Sequence, residues 1–204
     1  MFLERLKTKF NINEPIFAEE ILAAFPEYTR AYIFRIIDKA KKEGDIAQFS
    51  TGVYYIPKKT VLGLSTITAE DVVRKKYITN ESDIYGVYGG VVLQNAFSST
   101  TQMAVCPEII TNNEATRRRE IILDGMRFVL RKSRCKIDKQ NARAYTVLQL
   151  IDEEEELSDI TKQRVVEFLK AGSVDVKQLT ELSLAFPGRT LKKLIRSGIL
   201  DEIK

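Results

Sequence analysis

The chain opens with an amphipathic rhythm. Phe2, Leu3, Leu6 and Phe10 recur at helical spacing. A turn is expected at Asn11 to Glu14. A second helix is expected from Ile16 to Phe25, with Ile21, Leu22 and Phe25 on one face, before Pro26 interrupts it. A third helix is expected from Tyr28 or Thr29 to Glu43, closed by Gly44. In it Ile33, Ile36, Ile37 and Ala40 fall at i, i+3, i+4 and i+7, the buried stripe. Arg35, Lys39 and Lys42 lie opposite, with Tyr32 and Tyr28 in line with them.

The period then changes from helix to strand. Ile46 to Phe49 and Val53 to Ile56 flank Thr51-Gly52 as two arms of a tight hairpin, after which Pro57 stops the strand and Lys58-Lys59 follow. Neighbouring strand residues face opposite ways, so Val53 and one of Tyr54 or Tyr55 are expected to pack inwards, the other tyrosine remaining outside.

Val61 to Thr66 has the composition of a linker. Thr68 with Asp71 imitates a capping box for a helix from Ala69 to Lys76. The texture is different in "DIYGVYGGVVLQNAFSS", where Val87 to Phe97 reads as a strand or a buried helix, with a short helix favoured for Val91 to Ala96. "QMAVCPEII" and "EIILDGMRFVLRKS" read as strands, the second a hairpin turning at Asp124-Gly125. Ala144 to Ile151 reads as a helix, and the acidic run Asp152 to Glu156 as a solvated helix end or loop. Three helices are expected beyond Thr161, two of them closed by Gly172 and Gly198. The pattern therefore predicts an α+β protein. A winged helix-turn-helix at residues 1–62 is followed by a mixed α/β domain at 63–204 with a helical C-terminal tail.

Composition narrows the chemistry. The 204 residues contain no histidine, which excludes Ser-His-Asp and Cys-His sites and histidine-held zinc. Cys106 and Cys135 lack metal-ligand spacing and are expected to be reduced thiols of a cytoplasmic protein. No apolar run has the length of a membrane span, so no membrane partner is expected.

Net charge is only +4, but it is unevenly placed. Tyr28 to Lys59 holds seven basic and three acidic residues, Arg117 to Lys136 eight and two, and Thr146 to Lys204 nine and eleven. Clustered positive charge is an electrostatic footprint for nucleic acid. The candidate DNA contacts are Tyr28, Thr29, Arg30, Tyr32, Arg35, Lys39 and Lys42 on the third helix, with Thr51, Lys58 and Lys59 on the hairpin. Arg117, Arg118, Arg119, Arg131, Lys132, Arg134 and Lys136 form a candidate second basic surface for nucleic acid or a partner.

No Gly-rich nucleotide-binding motif occurs, and no cofactor is expected. Glu120 and Asp124 near Lys132 offer an alternative, a magnesium-dependent nuclease. A winged helix used as a protein-binding adaptor is the other. "AAFPEYTRAYIFRI" and "LAFPGRTLKKLIRS" share a helix, Phe-Pro, basic-helix order, though the acidic balance of the tail argues against a second DNA reader.

The order "F-x-E-I", which falls in Phe17-Ala18-Glu19-Glu20-Ile21, the basic third helix and "KKEGDIAQFSTGVYYIPKKTVLG" together resemble the AbiEi-like antitoxins of bacterial type IV toxin–antitoxin systems. The most specific part is G-x-Y-Y-x-P, followed by a basic residue and then Gly63. "DIYGVYGGVVLQNAF" resembles the start of that family's antitoxin domain. The resemblance implies a non-enzymatic protein whose winged helix binds double-stranded operator DNA and represses its own operon. It also implies a second domain that counters a nucleotidyltransferase-like toxin, without stable binding to it.

Overall fold

A computed structural model describes residues 2–61 and 63–204. It is a mixed helix and sheet protein that divides into two compact units, Met1–Lys75 and Lys76–Lys204. The chain runs α1 (Phe2–Lys9), β1 (Ile16–Phe17), α2 (Ala18–Ala24), α3 (Arg30–Glu43), β2 (Ala47–Ser50), β3 (Val53–Tyr55), β4 (Lys59–Thr60), β5 (Gly63–Leu64) and α4 (Ala69–Tyr77). It continues through β6 (Gly86–Gly89), α5 (Gly90–Ala96), β7 (Glu108–Thr111), β8 (Arg119–Leu123), β9 (Met126–Lys132), α6 (Ala142–Glu153), α7 (Asp159–Ala171), α8 (Val176–Ser183), α9 (Gly188–Arg196) and α10 (Ile199–Glu202).

The first unit builds its core from the predicted stripe. Ile33, Ile37 and Ala40 of α3 are buried with Phe2, Leu6, Ile21 and Phe25, and Ile36 packs at the edge of that cluster. Thr29 caps α3 by accepting the Tyr32 N–H, and Gly44 ends it at φ 76°. A side chain there would be forced into the left-handed region, which glycine enters without strain.

Two expectations for this unit are corrected. Ile16 and Phe17 are not helical: they form an edge strand, paired antiparallel with Tyr54 and Val53, in a sheet ordered β1-β3-β2. Helix α2 starts after them because the Glu20 carboxylate accepts the Phe17 N–H at 2.7 Å and so closes the helix there. Neither Tyr54 nor Tyr55 remains outside, since each is only 7% exposed. β3 is the central strand. Tyr54 joins the helical core while Val53 and Tyr55, on the other face, are buried as well.

The stretch expected to be a linker is also structured. β5 pairs antiparallel with β4, Lys59 opposite Leu64 and Thr60 opposite Gly63. Leu62, inside that stretch and at the expected domain boundary, lies outside the described residues, as does Met1. The first compact unit extends to Lys75 and takes in most of α4. That helix is capped reciprocally, Thr68 N–H to Asp71 and Asp71 N–H to the Thr68 hydroxyl. It is tied down by Lys75, which donates to the Pro15 carbonyl at 2.6 Å and pairs with Glu20 at 3.1 Å. These bonds are why the unit reaches beyond 62.

The second unit is a four-stranded sheet, β6-β7-β9-β8, with β7 and β9 parallel. Val87 and Ile110 lie opposite each other in register and share one core with Tyr145, Leu148 and Ile151 of α6. Helix α6 is buried on nearly every side, Gln149 and Asp152 included, as a central helix is. α7, α8, α9 and α10 add Val165, Leu169, Leu179, Leu194 and Ile199 to the same core. Ser158 and Asp175 cap α7 and α8. The Asp124-Gly125 turn is as predicted, both residues at positive φ.

In this unit "QMAVCPEII" yields a strand only from Glu108. Met103 and Val105 are 90% and 93% exposed, with no neighbouring surface to pack against. The acidic run is not uniformly solvated. Asp152 is buried and Glu153 half-buried at the end of α6.

Candidate nucleic-acid interface

Helix α3 offers one continuous polar face. Tyr32, Arg35, Lys39 and Lys42 are exposed along it and Arg30 is exposed at its flank, with Asp38 and Glu43 the only carboxylates of the helix, both in its C-terminal half. The first turn has no acidic residue, although a helix N-terminus carries partial positive charge and favours one.

The aromatic residues are pre-arranged. Tyr28 and Tyr32 stack with centroids 5.0 Å apart, and the Arg35 guanidinium lies over Tyr32 at 5.4 Å. Arg30 lies over Phe34 at 5.4 Å. Tyr28 is half-buried and meets Phe2 edge-on at 5.8 Å, so it also closes the core. Lys39 approaches Glu43 at 3.8 Å across one turn in full solvent, a weak pair. Lys41 is drawn to Gln48 of β2 at 2.6 Å and Asp38 at 3.4 Å, which joins α3 to the β2–β3 ribbon.

The ribbon residues fall at two places. Thr51 is exposed at the β2–β3 turn. Lys58 and Lys59 lie beyond β3, Lys59 on the second small ribbon. The Lys58 backbone is fixed by the Ser65 hydroxyl at 2.8 Å and the Asn13 amide oxygen at 3.3 Å, leaving both lysine side chains exposed. The pattern did not foresee that ribbon. Its two-residue strands are too short to show periodicity.

The second basic segment has a different character. Arg118 pairs with Glu120 at 3.0 Å, Arg119 with Glu114 at 2.8 Å, Arg131 with Glu108 at 2.5 Å and Arg134 with Asp152 at 2.8 Å. Burial pushes the Glu114 carboxyl up, but hydrogen bonds from Thr116 and Arg119 outweigh it and hold the group down to about 2. Arg131 and Lys132, adjacent on β9, point to opposite faces of the sheet. Among the described residues Arg117, Lys132 and Lys136 have no ion pair. Half of the eight basic residues here fasten the sheet and its flanking loops.

The nuclease constellation is not assembled. Asp124 sits at the β8–β9 turn and Lys132 at the far end of β9, roughly 20 Å away at about 3.4 Å per residue. Among the described residues no group of three histidine, cysteine or acidic side chains could hold a metal ion. Cys106 and Cys135 are free. No described helix is long and apolar enough to cross a membrane.

No protein-family model matches this chain, and no curated protein matches it.

Proposed function

We propose that the first unit is a winged helix that binds double-stranded DNA, with α3 in the major groove and the β2–β3 ribbon as the wing on the flanking backbone. The observation that carries this reading is the outer face of the first two turns of α3. From Arg30 to Ile37 it presents Arg35 and Tyr32, with Arg30 at its flank, and no carboxylate, at a helix end that is already positive. A face built only for solvation mixes signs. This one leaves its countercharge to be supplied from outside, and phosphates supply it. Tyr32 and Arg35, locked against each other, have lost side-chain freedom before any contact forms.

In this reading Arg30, Tyr32 and Arg35 reach base edges, Lys39 and Lys42 meet phosphates further along the groove, and Thr51 with Lys58 and Lys59 touches the backbone outside it. On the AbiEi resemblance, the DNA is the operator of the protein's own operon. The second unit then counters a nucleotidyltransferase-like toxin encoded beside it, in the cytoplasm and without a stable complex.

The test is a fluorescence-anisotropy titration of the upstream DNA with the Arg35→Ala, Lys39→Ala double variant. Removing a base contact costs about 1–3 kcal/mol and relaxes specificity. Exposed helix substitutions change stability by only about 0.5 kcal/mol, so the variant stays folded. Unchanged affinity in a folded variant rejects α3 as the reader. The antitoxin role is tested by co-expressing the same variant with the adjacent toxin. Protection that survives loss of DNA binding assigns it to the second unit, and protection that disappears with DNA binding assigns it to repression.

A further inference from the structure

The second unit contains a cavity of about 730 Å³, which is within the range of small-molecule sites. Its walls differ in kind. The wall from β6 and α5 is apolar, with Val87, Val92, Leu93 and Phe97. The wall from α6 and α7 carries the charge, with Arg143, Arg164 and Glu167 beside the Phe168 ring.

Half of the unit's arginines are spent on carboxylates, and the two in this cavity are not. Arg118, Arg119, Arg131, Arg134 and Arg189 each face a carboxylate within 3.1 Å. Among the described residues Arg143 and Arg164 face none, although Glu167 lines the same cavity. Glu167 instead accepts from Gln163 at 3.2 Å. Arg143 is held in place from three sides. It donates to the Phe168 carbonyl at 2.9 Å and lies over that residue's ring at 4.6 Å. Its stem lies against Gly172, where a Cβ would come within 2.1 Å of it. A guanidinium fixed at a cavity wall, with donors left over and no anion, is a preorganised carboxylate receptor.

We propose that this cavity binds an amphipathic carboxylate, its apolar body against β6 and α5 and its carboxylate on Arg164 and Arg143. The occupant follows from the charges. Two arginines without an ion pair outnumber the one carboxylate, Glu167, on the charged wall, and the surplus cation faces an apolar wall, which matches a single anionic head on an apolar body. A neutral or cationic amphipath leaves both guanidiniums without a partner. The inference is independent of the DNA-binding reading, because every residue it uses belongs to the second unit.

The experiment is isothermal titration of the full chain with decanoate, decanol and decylamine, each below its micelle concentration. Arg164 is exposed on α7, so Arg164→Gln leaves the fold intact. Ala96→Trp, at an exposed position lining the cavity, puts an indole into the space while leaving both arginines in the sequence. The expected result is saturable one-to-one binding of decanoate, at least about tenfold tighter than decanol and tighter still than decylamine. Arg164→Gln removes most of that preference, and Ala96→Trp abolishes binding. The proposal is overturned by absence of saturable decanoate binding, by equal affinity for decylamine, or by decanoate binding that Ala96→Trp leaves unchanged.

Discussion

Replacing Asp152 by alanine tests how the end of α6 is held. Asp152 is 7% exposed, and both its oxygens are occupied. One accepts from the Thr190 hydroxyl at 2.9 Å and Arg189 Nε at 3.1 Å, the other from Arg134 Nη2 at 2.8 Å. Thr190 is fully buried, so losing its acceptor leaves an unsatisfied hydroxyl, a cost of about 1–3 kcal/mol. The arginine side chains are 31% and 67% exposed and regain water. Their joint loss is therefore nearer about 1 kcal/mol than the roughly 3–5 kcal/mol of a fully buried broken pair. The sum is about 2–4 kcal/mol. For a chain of this size that lowers the melting temperature by about 10 °C.

The pH dependence gives a second, independent reading. Burial pushes the Asp152 carboxyl up, but hydrogen bonds from Thr190 and Arg189 and the charge of Arg134 outweigh it and set the group below its ordinary value. A carboxylate lowered on folding contributes stability that is complete above its unfolded value, near about 4, and is lost as pH falls through the folded value. Urea titrations followed by circular dichroism at pH 7 and pH 3 therefore show a wide gap between wild type and Asp152→Ala that narrows in acid. A gap under about 1 kcal/mol at pH 7, or one that keeps its width at pH 3, refutes the account.

Three further outcomes are expected. On the proposed DNA-binding reading, removing both Lys58 and Lys59 lowers affinity for upstream and random DNA alike, and the slope of log affinity against log salt falls by roughly 0.9 for each phosphate no longer neutralised; filter-binding at several salt concentrations measures it. Gly86→Ala destabilises the second unit by about 3 kcal/mol in a urea titration, because its Cβ would lie 2.1 Å from the Tyr77 carbonyl and 2.9 Å from that of Ile110, both backbone atoms. Glu153 is raised, mainly by burial and against hydrogen bonds from Gln149 and Gly90, so its contribution is largest in acid and declines as pH rises from the unfolded value of about 4; urea midpoints of Glu153→Gln should gain on wild type over that rise.

Much of the fold was legible because its elements announce themselves locally. The stripe Ile33-Ile36-Ile37-Ala40 has a period, Thr68 and Asp71 have cap spacing, and Asp124-Gly125 has a turn preference. The misreadings share a different cause, dependence on a remote partner. Ile16-Phe17 is a strand only because β3 lies beside it, and Tyr54 and Tyr55 are both buried because both faces of β3 are covered. Two residues have no measurable period, and a strand's own sequence does not say how many of its faces will be covered.

The same distinction separates the two basic segments. By count Arg117 to Lys136 is the richer, net +6 against net +4 for Tyr28 to Lys59. By availability the order reverses. On the sheet most arginines are drawn into pairs with Glu108, Glu114, Glu120 and Asp152, partners that approach through the fold and cannot be read from charge runs. On α3 the N-terminal cations are turned away from the core by the very stripe that buries Ile33 and Ile37, and the carboxylates of the helix come only after its second turn. The position of a cation relative to the apolar stripe is readable in a sequence, whereas its pairing across a sheet is not. The weaker of the two charge signals is therefore the better guide to a face of unspent cations.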